Sequence, residues 1–198
     1  MANQTSSDVA GTKRGYFMRW KKYLGALPFV IFLVLRFVVS LIEGFTETEL
    51  RSVPKMVLLW GGIFSGLLSM FWMGSIFFKW NPIKKWKGAI VLKGILLLVS
   101  ICISLGVMGA GMFFSAFEYE TEYVIERNGI HMVASVDSFL QEIVDYYEYK
   151  NAVFRGAEQI GWEDYGNGGG DPFKEGREPD RWFFKDLNGN VVESGGKN

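Results

Sequence analysis

MVLLWGGIFSGLLSMFWMGSIFF, residues 56–78, carries no charged side chain over a length that would take a helix through a lipid bilayer. A hydrocarbon core of about 30 Å needs roughly 20 apolar residues in a helix. GILLLVSICISLGVMGAGMFFSAF, residues 94–117, is equally free of charge. LGALPFVIFLVLRFVVSLI, residues 24–42, contains only Arg36. The chain is therefore predicted to be a membrane protein with three transmembrane α-helices, at about 24–42, 56–78 and 90–117. A basic segment over 1–22 precedes them, and a small antiparallel β-rich domain over 118–198 follows.

The formal net charge is zero, and this hides a segregation: basic residues crowd the N-terminus and the second loop, acidic ones the tail. Such a balance gives no reason to expect nucleic-acid binding. Cys102 is the single cysteine, so neither an intramolecular disulfide nor a cysteine-based metal site can form. A disulfide-free domain outside the cytoplasm suits a Gram-positive cell. No small-x-small cleavage site follows Ser40, so the first apolar stretch reads as a retained anchor.

Orientation follows the Lys/Arg bias of short loops. Lys13, Arg14, Arg19, Lys21 and Lys22 precede span one, and Lys79, Lys84, Lys85 and Lys87 follow span two. The first loop, Phe45–Lys55, sets Arg51 and Lys55 against Glu47 and Glu49, and Glu118, Glu120 and Glu122 open the tail. This bias predicts a multi-pass protein of the cell membrane, N-terminus in the cytoplasm and C-terminal domain outside. Trp20, Tyr23, Trp80 and Trp86 then fall at the inner interface as aromatic anchors.

Close helix packing in lipid depends on small residues. Span two offers Gly62-x-x-x-Gly66, Ser69 and Gly74; span three offers Gly106-x-x-x-Ala110 and Gly111-x-x-x-Ser115. The short loop between these spans favours their packing as a hairpin, and the same faces provide a route to a homo-oligomer. Arg36 is the intramembrane charge, read as snorkelling outward to lipid phosphate within reach of Glu43, two turns further along, with a functional role as the alternative. No Asp, Glu or His lies in any span, which argues against a proton relay or ion pump.

In the tail, Tyr123–Arg127 and Ile130–Asp137 read as strands around the turn signal Asn128-Gly129. Ile143–Lys150 reads as a strand from its Val and Tyr content, with a helix over Ser138–Lys150 as the alternative. Glu158–Tyr165 is the next strand. Arg181–Asp186 and Asn190–Glu193 form a hairpin around Asn188-Gly189. Gly166–Asp180 is expected to be a long mobile loop.

The run Tyr146-Tyr147-Glu148-Tyr149-Lys150-Asn151, with Phe154-Arg155-Gly156, Glu163-Asp164-Tyr165-Gly166-Asn167-Gly168 and Asp171-Pro172-Phe173, carries a resemblance. It resembles the tyrosine-rich C-terminal segment of small Gram-positive, Firmicutes-type multi-span membrane proteins. The resemblance implies a compartment and a lineage and brings no chemistry with it.

His131 stands alone without a cysteine or second histidine, so it reads as a surface residue rather than a zinc ligand or catalytic base. Asp171, Glu175, Glu178 and Asp180, or Asp186, Asn188 and Asn190, are calcium-compatible residue types, but neither set has an EF-hand spacing; solvated loops are the expectation. No catalytic, metal or cofactor residues are assigned. Tyr146, Tyr149, Phe154, Arg155, Trp162, Tyr165 and Asp171 are the candidates for contact with a protein partner, in the membrane or outside it. The expected function is a non-enzymatic, membrane-anchored binding module or accessory subunit. Alternatives are an immunity protein against a secreted toxin or bacteriocin and, less favoured, a cell-envelope hydrolase.

Overall fold

The structure is a computed structural model that describes residues 24–79, 88–138, 141–167 and 169–197. The basic N-terminal segment and the loop 80–87, which carry the expected orientation signals, lie outside the described residues.

Among the described residues there are three long helices: α1 Leu27–Thr46, entered through a 3-10 turn at Leu24–Ala26, α2 Ser52–Lys79 and α3 Ala89–Glu118. Each is long and apolar enough to cross a membrane. Pro28 and Pro54 sit in first turns, where a missing N–H leaves no helical bond unmade. Outward side chains such as Val57 and Ile90 are exposed and apolar, and intrahelical bonding satisfies the backbone, as lipid requires. At about 1.5 Å per residue α2 is some 42 Å long, longer than a hydrocarbon core is thick.

The chain forms two compact units. One takes the residues up to Phe37 together with Leu59–Gly111; the other takes Val38–Leu58 and Met112–Asn198. In the first, glycines of α2 receive aromatic rings from α1. Phe32 lies over Gly62, where a Cβ would come within 2.6 Å of the ring, and Phe29 lies beside Gly66. Ser69 donates to the carbonyl of Gly25 at 2.9 Å. The expected partner for Gly62-x-x-x-Gly66 was span three, so this pairing differs from expectation. A flat ring fills a glycine notch where two small faces would leave a gap. Span three keeps part of its expected role: Gly111 receives Ile63, and Lys93 reaches the carbonyl of Phe78 at 3.2 Å.

The second unit is built on an antiparallel meander: β2 Thr121–Arg127, β3 Ile130–Asp137, β4 Ile143–Tyr149, β5 Phe154–Asp164, β6 Arg181–Lys185 and β7 Val191–Gly196. Asn128 and Gly129 both have positive φ, 54° and 76°, as the two-residue turn between β2 and β3 demands. Register shifts in β4 at Tyr146–Tyr147 and Tyr147–Tyr149 mark irregular pairing with β5 of the kind that bends a strand. The core gathers Met132, Ala134, Val136, Val144, Tyr146, Ile160 and Phe184 on one face. Gly161 makes room for the Phe184 ring, which a Cβ would meet at 2.4 Å.

Several boundaries differ from expectation. Strand β4 forms over Ile143–Tyr149, and the helical alternative is not adopted. Strand β5 starts at Phe154, four residues before the expected Glu158, because its first residues have a partner the tail alone does not supply. That partner is β1, Thr48–Leu50, from the first loop, which pairs Thr48 with Gly156 and Leu50 with Phe154. Gly166–Asp180 is not a structureless loop: a one-turn helix α4, Pro172–Glu175, is capped by the Asp171 side chain and closed by Gly176 in the left-handed region. The loop is also held to the strands where Asp180 N–H donates to the Asp164 carbonyl at 2.8 Å and where Arg177 pairs with the fully buried Glu142.

Since Phe184 is 1% exposed and packs its ring 4.9 Å from that of Tyr146, Phe184→Ala should destabilise the sheet by about 3–5 kcal/mol. Chemical denaturation of the detergent-solubilised chain, read by tyrosine and tryptophan fluorescence, measures this; an unchanged midpoint would place the core elsewhere.

Candidate functional site

The core face of the sheet centres on one carboxylate. Glu163 of β5 is 5% exposed. It accepts from Arg127 Nη1 at 2.6 Å, from the Tyr146 hydroxyl at 2.5 Å and from the Tyr165 hydroxyl at 2.8 Å. Arg127 donates its Nη2 to Glu193 at 2.9 Å and lies 3.9 Å above the Phe184 ring. Arg127 is on β2 and Glu193 on β7, the two ends of the meander, so the sheet curls until its outer strands share one guanidinium. Burial and the Glu163 carboxylate hold the Tyr146 phenol far above the usual tyrosine range, and the same causes raise Tyr165.

A second polar cluster fastens the first loop to the sheet. Glu122 of β2 accepts from Arg51 Nε at 2.7 Å and from the Ser52 backbone N–H at 2.8 Å. It thereby caps the start of α2, where unpaired N–H groups and the helix dipole favour an anion. Ser52 Oγ in return accepts from the Glu120 N–H at 3.0 Å. Arg155 of β5, with its side chain 12% exposed, lies 3.5 Å from Glu122 and 3.7 Å from both Glu120 and Glu49, and stacks 3.9 Å from the Tyr147 ring. Lys55 pairs with Glu118.

The candidates named from sequence are spread over these clusters and do not form one surface. Tyr146 and Tyr165 bond Glu163 in or beside the core. Tyr149 lies 5.7 Å below the Arg51 guanidinium, Phe154 stands opposite Leu50 of β1, and Arg155 is the basic centre of the loop cluster. Trp162 is half-buried, in register with Asp145 and Phe183. Asp171 caps α4 through the Phe173 N–H and accepts the Tyr123 hydroxyl at 2.5 Å. Burial works against the Asp171 anion, but the Tyr123 and Lys174 donors hold its carboxyl below the usual range. Arg36 is an exposed residue of α1. His131 is exposed, 3.9 Å from Glu126. Among the described residues no group of three or more acidic, histidine or cysteine side chains is arranged to hold a metal ion. Asp186 instead accepts the N–H groups of Asn188 and Asn190 within its own turn.

The sequence reading missed the first loop. Its signal was present: Thr46-Glu47-Thr48-Glu49-Leu50 alternates in the manner of a half-buried strand, and Arg51 and Lys55 complement the acids that open the tail. The exposed apolar residues of the sheet also escaped notice. Leu187, Val191 and Val192, in the last hairpin, are 55%, 59% and 53% exposed. No protein-family model, curated protein or solved structure matches the chain.

The raised Tyr146 phenol has a pH consequence. The folded state keeps a proton there that the unfolded chain gives up near pH 10, so this contribution is complete below about 10 and is lost as pH rises above it. Tyr146→Phe should lower stability at neutral pH by about 1–2 kcal/mol through the lost hydrogen bond, and flatten the fall of stability above about pH 10. Denaturation midpoints measured from about pH 8 to 11 check both; an equally steep alkaline fall in the variant would remove Tyr146 as its cause.

Proposed function

We propose that the protein is a non-enzymatic, membrane-anchored binding module or accessory subunit, with its sheet displayed on the outer side of the cell membrane and its N-terminus in the cytoplasm. The observation that carries this reading is the exposed edge at the end of the sheet. Among the described residues strand β7 pairs on one side only, with β6. Soluble proteins commonly blunt such an edge with lysine or proline. Val191–Gly196 contains neither, and its one charge, Glu193, is engaged by Arg127. The exposed Val191, Val192 and Leu187 add an apolar strip beside this edge. An extended segment of a partner protein could add to such a strand through backbone bonds, with valines supplying specificity.

The topology is supported by connectivity. Strand β1 lies between α1 and α2, and β2 follows α3, yet both belong to one sheet. The two intervening helices must then cross a bilayer an even number of times. The Lys/Arg bias assigns that shared side to the outside.

Two expected outcomes test this reading. A reporter active only outside the membrane should work when fused after Asn198 and be silent within Asn81–Lys87; the reverse pattern overturns the orientation. Replacing Val191 and Val192 by Asp should leave membrane insertion intact and reduce partner capture by crosslinking and mass spectrometry more than tenfold, roughly 1.4 kcal/mol or more. Equal recovery of the same partners by both forms would remove the hairpin as the binding surface.

A further inference from the structure

The three helices leave their apolar runs at one level. Glu43 of α1 accepts the Leu50 N–H at 3.3 Å. Lys55 of α2 pairs with Glu118, the last residue of α3. Charges of this kind mark where the hydrocarbon ends, because an ion in the bilayer core is costly. The uncharged run of α2 begins at Met56, so Arg51 lies roughly 7–8 Å beyond it at about 1.5 Å per residue. A headgroup layer adds about 5–8 Å to each side of the hydrocarbon. The Arg51 backbone is therefore at headgroup level.

One turn of the sheet is tied to that level. The Arg51 N–H donates to the Val153 carbonyl at 2.9 Å, in the turn between β4 and β5. This turn is braced from within. The Asn151 side chain accepts the N–H groups of Val153 and Phe154 at 2.8 and 2.9 Å, and the Asn151 N–H donates to the Phe154 carbonyl at 3.1 Å. Ala152 is exposed, and Val153 is 43% exposed. Phe45, at the end of α1, is 84% exposed, and Tyr119, just past α3, is exposed as well. Val53 stands one helical turn above Val57, and both are exposed, so an apolar face of α2 continues from the uncharged run to the level of Arg51. The basic side chains here have acids beside them: Glu122 at Arg51, Glu118 at Lys55 and Glu148 at Lys150. Local charge thus gives anionic lipid no advantage.

We infer that the β4–β5 turn is a second membrane contact, made by the sheet in addition to the helices: Ala152 and Val153 enter the headgroup layer of the bilayer that the helices cross. The occupant of this surface is lipid, at the boundary of headgroups and acyl chains. There apolar side chains are buried, and a tyrosine ring such as that of Tyr119 keeps its hydroxyl in water. The contact holds the start of β5, and with it the partner of β1, at the membrane surface. It rests on the helices crossing the bilayer, and neither on which side the sheet occupies nor on any protein partner.

Spin labels on the full chain in phosphatidylcholine nanodiscs, in a Cys102→Ser background, test this. Val57→Cys, Val153→Cys and Asn188→Cys carry the label on α2, on the β4–β5 turn and on the exposed turn after β6. The ratio of collisions with oxygen, which concentrates in lipid, to collisions with a water-soluble nickel chelate gives the depth of each label. At Val153 the ratio should be severalfold higher than at Asn188 and lower than at Val57, and a label at Ala152 should agree with it. Adding phosphatidylglycerol should leave these ratios unchanged. A Val153 ratio equal to that at Asn188, with Val57 in hydrocarbon, would overturn the lipid contact and leave the membrane reading intact. An aqueous ratio at Val57 as well would overturn both. A raised ratio at Val153 only with phosphatidylglycerol present would overturn the apolar contact in favour of an electrostatic one.

Discussion

A carboxylate on the first strand of the tail holds the start of a helix more than sixty residues earlier in the chain. Glu122 receives Arg51 and the Ser52 N–H together, and its side chain is only 6% exposed. A buried carboxylate without partners would cost several kcal/mol, so this site is stable only when the first loop is in place. The loop in turn has little apolar content to bury. Its three-residue strand borrows the edge of β5, and its charges borrow those of the tail. Neither segment completes its polar bonding alone.

The core face repeats the arrangement with different chemistry. Glu163 sits among aromatic side chains and is satisfied by one guanidinium and two phenols. Arg127 spans from β2 to Glu193 on β7, which fixes how far the sheet curls. A buried network of this kind is poor at adding net stability and good at specifying one arrangement, because every competing register strands a charge. The aromatic richness of the tail is explained mainly by this role: Tyr146, Tyr165, Trp182 and Phe184 serve the core and its central carboxylate.

The helices were legible because lipid imposes a single rule, a long run without charge, and Met56–Phe78 and Gly94–Phe117 obey it. The strands were legible where alternation and turn chemistry agree, as around Asn128-Gly129 and Asn188-Gly189. Thr48–Leu50 was not read as a strand, because its pairing is a tertiary fact: the partner residues lie about a hundred positions away. The loop before β6 was misread for a related reason. Its glycines suggest freedom, while Asp171, Arg177 and Asp180 are held by groups that no local window contains. Of the candidates for partner contact, Tyr146 and Tyr165 serve the core, since the tyrosines that suit an interface are also residues a small core needs.

The insertion of β1 between two helices sets an order of assembly. Thr48 emerges from synthesis about a hundred residues before Gly156, its partner. Until then the first loop has no strand to join, and the start of α2 lacks its anion. Closing so long a segment is slow, and its contacts form only after the two intervening helices have been made. The sheet therefore closes late: until the tail is made, Thr48–Leu50 lacks its strand partner and the Ser52 N–H lacks the Glu122 carboxylate.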